Sequence, residues 1–128
     1  MLPVLEKYRA VIRDYTITVV EEAGSSFRLR ALVFLIDGSE LHVRETLIGG
    51  ERRKYAYHWQ SGDGRLLVRW DNAPDWDVET FPHHKHVGEQ GNVAASYERT
   101  LEQVLGFLVR QYHQVINLPR ERYGDYTE

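Results

Sequence analysis

Two turn signals, and the alternation on either side of them, constrain this chain more than any other feature. Asp37-Gly38 and Ser61-Gly62-Asp63-Gly64 each separate a pair of runs rich in β-branched and aromatic residues. Asp-Gly between such runs is a strong short-range hairpin signal. The first turn joins Phe27–Ile36 to Glu40–Leu47, and the second joins Arg53–Gln60 to Arg65–Trp70. An earlier run over 14–22, with Tyr15, Ile17 and Val19 alternating with Thr16 and Thr18, leads in through Ala23-Gly24-Ser25-Ser26. Strands joined by tight turns are antiparallel neighbours, so the expectation is a meander of about five strands.

Turn length decides which residues share a face, because side chains alternate along a strand. A two-residue turn at Asp37-Gly38 predicts one face of Leu32, Phe34, Ile36, Leu41 and Val43. At the second hairpin a loop of two or four residues puts Tyr55, Tyr57, Trp59, Leu66, Val68 and Trp70 together as a core face. It puts Ala56, His58, Gln60, Arg65, Leu67, Arg69 and Asp71 opposite. A three-residue loop with a bulge would break that division.

Helices bracket these strands. Residues 3–12 predict a short one, with Leu5, Tyr8 and Ile12 on one face and Pro3 in the first turn. Thr100–Ile116 predicts a longer one. Thr100 and Gln103 form a capping box, and Leu101, Val104, Leu105, Leu108, Tyr112, Val115 and Ile116 form an apolar stripe. The fold class that follows is α+β. A five-stranded antiparallel meander packs on a C-terminal helix, with a short N-terminal helix, in one domain over 1–117. Residues 118–128 read as a charged, flexible tail. Asn72–Asn92 has no clean period and reads as a long irregular segment, the kind that often carries function.

Composition excludes several classes of function. The chain has 128 residues, no cysteine and a net charge of −3. Thiolate chemistry and disulfides are excluded, and a reducing, cytoplasmic setting is expected. No apolar run has the length of a membrane span, and the N-terminus lacks the pattern of a signal peptide. The net charge opposes nucleic-acid binding by bulk charge, but Arg52, Arg53, Lys54, Arg65 and Arg69 gather in one region whose only acid is Asp63.

Phe81-Pro82-His83-His84-Lys85-His86 holds three of the six histidines. Histidine titrates near neutrality, which suits proton transfer or metal ligation. A metal-free ribonuclease needs a base for the 2′-hydroxyl, an acid for the leaving oxygen and cations on the phosphate. The candidate catalytic residues are His58, His83, His84 and His86, with Asp71 to orient a histidine. Arg44, Arg69 and Lys85 are candidates for phosphate. Trp59 and Trp76 would stack a base if exposed, although the alternation Tyr55, Tyr57, Trp59 and Trp70 reads first as core. A metal reading would use His84, His86, His58 and Asp71, but the spacing matches no strong motif and Lys85 sits between the ligands. A plain structural loop is the third reading. No cofactor and no metal are expected on the favoured one.

Ile36-Asp37-Gly38-Ser39, Tyr57-His58-Trp59-Gln60, Arg69-Trp70-Asp71-Asn72-Ala73-Pro74 and Phe81-Pro82-His83-His84-Lys85-His86-Val87 together resemble the TumE family of prokaryotic toxins. The resemblance implies a cytoplasmic toxin of a type II toxin–antitoxin pair that acts on RNA or translation. Its implied partners are RNA and a helix-turn-helix antitoxin encoded nearby. No membrane is implied, and a homodimer is compatible. The rival is a binding protein without catalysis. Family patterns with a histidine pair after Asn-Ala-Pro meet Asp75 and Trp76 here, so no histidine role carries over to that point.

Overall fold

The polar segment Phe81–Val87, which shows no strand period, is where the sheet departs most from expectation. In the computed structural model His84–Val87 and Val93–Ala95 are both strands, and the sheet has seven strands rather than five. The reason lies in which side chains occupy the buried positions. His84 and His86 are the buried members of their strand, so the burial alternates while the hydropathy does not. A strand whose buried side chains are imidazoles is invisible to a search for apolar alternation.

The structure describes residues 2–117, and the tail expected over 118–128 lies outside the described residues. In chain order come α1 (Leu2–Lys7), a 3₁₀ turn at Arg9–Val11, and β1 (Ile12–Ala23). Then follow β2 (Ser26–Leu35), β3 (Glu40–Ile48), β4 (Arg52–Gln60) and β5 (Leu66–Asp71). The last elements are β6 (His84–Val87), β7 (Val93–Ala95) and α2 (Leu101–Asn117). Each strand pairs with the next, giving the order β1-β2-β3-β4-β5-β6-β7. The helix expected over 3–12 is therefore a single α turn and a half followed by a tighter turn, as its marginal length suggests.

Turn chemistry corrects the face of the first hairpin. Leu35 N donates to Ser39 O at 2.9 Å, so the loop is the three residues Ile36, Asp37 and Gly38. Gly38 takes φ +89°, the left-handed position such loops require. An odd loop pairs residues of like parity: Val33 with Leu41, and Ala31 with Val43. The core face is therefore Leu29, Ala31, Val33, Leu35, Leu41 and Val43, and Leu32 and Phe34 lie on the other side.

The second hairpin also closes on three residues, with Ser61 N donating to Arg65 O at 2.9 Å. A register shift between Trp59 and Gln60 then restores the opposite parity, so Tyr57 faces Trp70 and Trp59 faces Val68. The aromatic face survives because two irregularities cancel. They do not cancel at the bulge itself: Leu67 is buried, and Leu66 sits beside Gln60 on the other face.

α2 covers the aromatic face. The capping box forms as expected, with Thr100 N on Gln103 Oε1 at 3.0 Å and Gln103 N on Thr100 Oγ1 at 3.2 Å. Leu101, Val104, Leu105, Leu108 and Tyr112 are buried, and Phe107 joins them, edge-on to Trp59 at 6.2 Å and to Trp70 at 5.3 Å. The side chains of Val115 and Ile116 lie outside the described residues. Trp59 Nε1 donates to Ser39 Oγ at 2.9 Å, which satisfies the one polar atom of a fully buried indole. Arg53 ties the approach to α2 onto the sheet through Arg99 O at 2.8 Å and Glu98 Oε2 at 3.0 Å.

Candidate functional site on the open face of the sheet

Because the strands are in regular register, the face away from α2 carries side chains in rungs. One rung runs Leu32, His42, His58, Arg69, His86, each directly opposite the next. Its neighbour runs Arg30, Arg44, Ala56, Asp71, His84. His42, His58, His84 and His86 thus meet on two adjacent rungs. His58, Arg69 and Asp71 share this face, as the strand alternation predicts.

The histidine cluster divides between the two faces. His84 and His86 point to the open face, while Lys85 pairs across from Trp70 on the side of α2. Lys85 and His83 line a hollow of about 1020 Å³ beside α2. His83 Nδ1 lies 2.9 Å from the hydroxyl of Tyr55, whose pKa burial pushes up to about 12. Lys85 is therefore not beside Arg69, and its expected place on the same phosphate is corrected by strand alternation.

His84 and His86 are each only 1% exposed. Trp76, carried by the segment between β5 and β6, covers them, with its ring 5.6 Å from that of His86 and 6.5 Å from that of His84. Neither imidazole reaches the surface, so direct proton transfer to RNA does not fit their place. Trp59 is fully buried against α2 and has no face to offer a base. Trp76 is half-buried and its ring is committed to the histidines.

His58 is half-buried, and its Nδ1 accepts a hydrogen bond from Arg69 Nη1 at 3.3 Å. Burial lowers its pKa below the ordinary 6.5, and the neighbouring Arg69 charge lowers it further. Arg69 also donates from Nε to Asp71 Oδ2 at 3.1 Å. His42, absent from the candidates drawn from sequence, stands beside His58 with ring centroids 5.9 Å apart. Its Nε2 is 3.3 Å from Glu40 Oε1.

Next to these rungs lies a groove of about 360 Å³ whose basic side chains are Arg28, Arg30, Arg44, Lys54 and Arg69, with Asp71 the only carboxylate. Ala56 lies between Arg44 and Asp71 on its rung, and its small side chain leaves the hollow open. Arg30 and Arg44 are directly opposite each other, an arrangement that like charges disfavour. Among the described residues Arg28, Arg30, Arg44 and Lys54 make no ion pair with a carboxylate. Of these, only Arg44 was a candidate for phosphate from sequence, and Lys54 stood out only as part of a basic region. The others follow from even-numbered alternation along β2 and β4, once the first hairpin is known to close on three residues.

A small α+β domain with a one-sided core and a basic, histidine-bearing open sheet face is the class of protein this defines. The chain belongs to the family described as Toxin TumE, which matches residues 1–113. No curated protein and no solved structure shows a match to the chain. No helix among the described residues is long and apolar enough to cross a membrane.

Proposed function

We propose that this TumE-family toxin acts on RNA, and that the open sheet face is both its RNA-binding surface and its site of cleavage. The observation that supports this most is the rung His42–His58–Arg69 standing open beside a groove of five cations, in a chain of net charge −3. Four of the five, Arg28, Arg30, Arg44 and Lys54, have no carboxylate partner among the described residues, and cations so gathered on one face serve an anionic polymer, since the rest of the surface repels it.

In this reading the phosphodiester lies along Arg28, Arg30, Arg44 and Lys54 and reaches Arg69. The phosphate draws the Arg69 guanidinium away from His58 Nδ1, leaving that nitrogen free while Arg69 Nε stays on Asp71. His58 Nδ1 takes the proton of the 2′-hydroxyl, and the 2′-oxygen attacks phosphorus. The bond from phosphorus to the 5′-oxygen breaks, and His42, backed by Glu40, gives the leaving oxygen its proton. The products are a 2′,3′-cyclic phosphate and a 5′-hydroxyl. The second histidine is His42 rather than a member of the 83–86 cluster, because His42 is exposed, whereas His86 on the same rung and His84 on the next are buried beneath Trp76 and His83 lies on the side of α2.

A helix-turn-helix antitoxin encoded beside the toxin is part of the same proposal, and a basic groove suits blockade by an acidic segment. The test is induced expression with and without the neighbouring gene, followed by RNA end mapping. Cyclic phosphate ends that vanish in His58→Ala and His42→Ala are expected. Toxicity that persists in both folded variants would leave the non-catalytic binding reading in its place.

A further inference from the structure

The buried trio Asp71, His84 and His86 moves no proton in that chemistry, where Asp71 serves only to anchor Arg69, and its hydrogen bonding leaves a specific deficit. His84 Nδ1 is 2.9 Å from Pro82 O, and His86 Nδ1 is 2.6 Å from Gln90 O. A carbonyl oxygen only accepts, so each Nδ1 carries the ring's hydrogen and each neutral Nε2 is a bare lone pair. Those two lone pairs face each other at 3.1 Å. The Asp71 carboxylate closes the triangle, with Oδ1 3.0 Å from His84 Nε2 and Oδ2 3.4 Å from His86 Nε2. Three acceptors therefore converge in a buried site roofed by Trp76, and nothing positive stands between the two imidazoles. Arg69 reaches the carboxylate only, through Oδ2.

We propose that Asp71, His84 and His86 bind a divalent first-row transition ion through the carboxylate and the two Nε2 atoms. The spacing is that of a coordination sphere. A tetrahedral zinc ion with bonds of about 2.0–2.1 Å sets its ligand atoms roughly 3.3 Å apart. The observed edges are 3.0, 3.1 and 3.4 Å, and all three donors fit within 4.8 Å of one another. The backbone carbonyls on both Nδ1 atoms are the usual outer partners of ligating histidines, fixing tautomer and ring orientation before an ion arrives. Two nitrogens and a carboxylate suit Zn²⁺, Co²⁺, Fe²⁺ or Mn²⁺ and not Ca²⁺ or Mg²⁺, which prefer all-oxygen sites. His58 is outside the set, because its Nδ1 faces Arg69. The ion would join β5 to β6 and hold Asp71 as the anchor of Arg69. The proposal stands whether or not the protein cleaves RNA, since its readouts are metal content and spectra.

The test uses the tag-free full chain, stripped with chelator and dialysed against Zn²⁺ or Co²⁺. One ion per chain is expected by mass spectrometry of the metal. The thermal midpoint is expected to rise on loading, and bound Co²⁺ to give a tetrahedral or five-coordinate absorption band. Asp71→Asn and His84→Gln are expected to weaken binding at least tenfold. Should those variants fail to fold, histidine ¹⁵N spectra of the unaltered protein decide. Zn²⁺ is expected to move the Nε2 signals of two histidines that keep Nδ1–H. A folded chain that takes up no ion, undiminished binding in the folded variants, or Nε2 signals unmoved by Zn²⁺ would each overturn the site. The last result would mean that a shared proton fills the gap instead.

Discussion

Replacing Arg44 with alanine should make the protein more stable and worse at binding RNA, and the opposite signs are what make the experiment decisive. Arg44 faces Arg30 directly across β2 and β3, and neither has a carboxylate partner among the described residues. Both are near the surface, so solvent screens the repulsion, and relieving it should be worth only about 0.2–1 kcal/mol. The RNA side is larger. Five phosphate contacts on a single strand give a salt slope of roughly −3.5, which is about a 100-fold loss of affinity across a fourfold rise in salt. Removing one contact should reduce the slope to roughly −2.8 and the loss to about 50-fold. Urea unfolding measures the first effect, and fluorescence anisotropy of a labelled oligoribonucleotide over a salt series measures the second. An Arg44→Ala protein with lower stability and an unchanged salt slope would refute the reasoning, because Arg44 would then be a structural residue and the groove no phosphate track.

Other outcomes follow from the same geometry. Leu108→Ala removes a fully buried side chain beneath the sheet and should cost about 2–5 kcal/mol in denaturant unfolding; a loss near zero would mean that α2 is not the core's second layer. Ser39→Ala strips the buried Trp59 Nε1 of its acceptor and should cost about 1–3 kcal/mol, read with tryptophan fluorescence as the probe. His58 has a folded pKa below its unfolded value of 6.5, so its contribution to stability is complete above pH 6.5 and is lost on acidification below it. His58→Gln should therefore flatten the fall in unfolding midpoint between neutral and mildly acidic pH, and an unchanged profile would place the titration elsewhere. The cleavage rate should fall on the same acid limb, and His58→Ala should lower it by about 10²–10⁴.

Much of the architecture was legible in the sequence because periodicity reports burial directly. The capping box and apolar stripe placed α2, and the aromatic alternation placed β4 against β5. Loop parity was less legible. Asp37-Gly38 reads equally as the centre of a two-residue turn or the end of a three-residue one, and only the Ser39–Leu35 bond tells them apart. That single residue moved Arg28 and Arg30 to the open face alongside Arg44. The site was legible in its residue types but not in its partition. Alternation through His83-His84-Lys85-His86 was foreseeable only if the segment was recognised as a strand, and a strand whose buried residues are imidazoles offers no hydropathy signal. His42 went unremarked for a similar reason: its value comes from standing opposite His58, a fact of register rather than of spacing.

The unbroken neighbour-to-neighbour strand order has a consequence for the chain during synthesis. Every hairpin can form from residues already made, so the sheet can grow one strand at a time as the chain emerges. Its second layer cannot. Tyr57, Trp59 and Trp70 wait for α2, the last element among the described residues, and until Phe107 and Leu108 arrive that broad aromatic surface faces water. A nascent or prematurely terminated chain is therefore a sticky half-sandwich, with its basic, histidine-bearing side assembled before its core is sealed. For a protein of a toxin family this sets an order of events. The groove exists before the fold is durable, and an incomplete chain is marked for aggregation or proteolysis by the very face that later gives it stability.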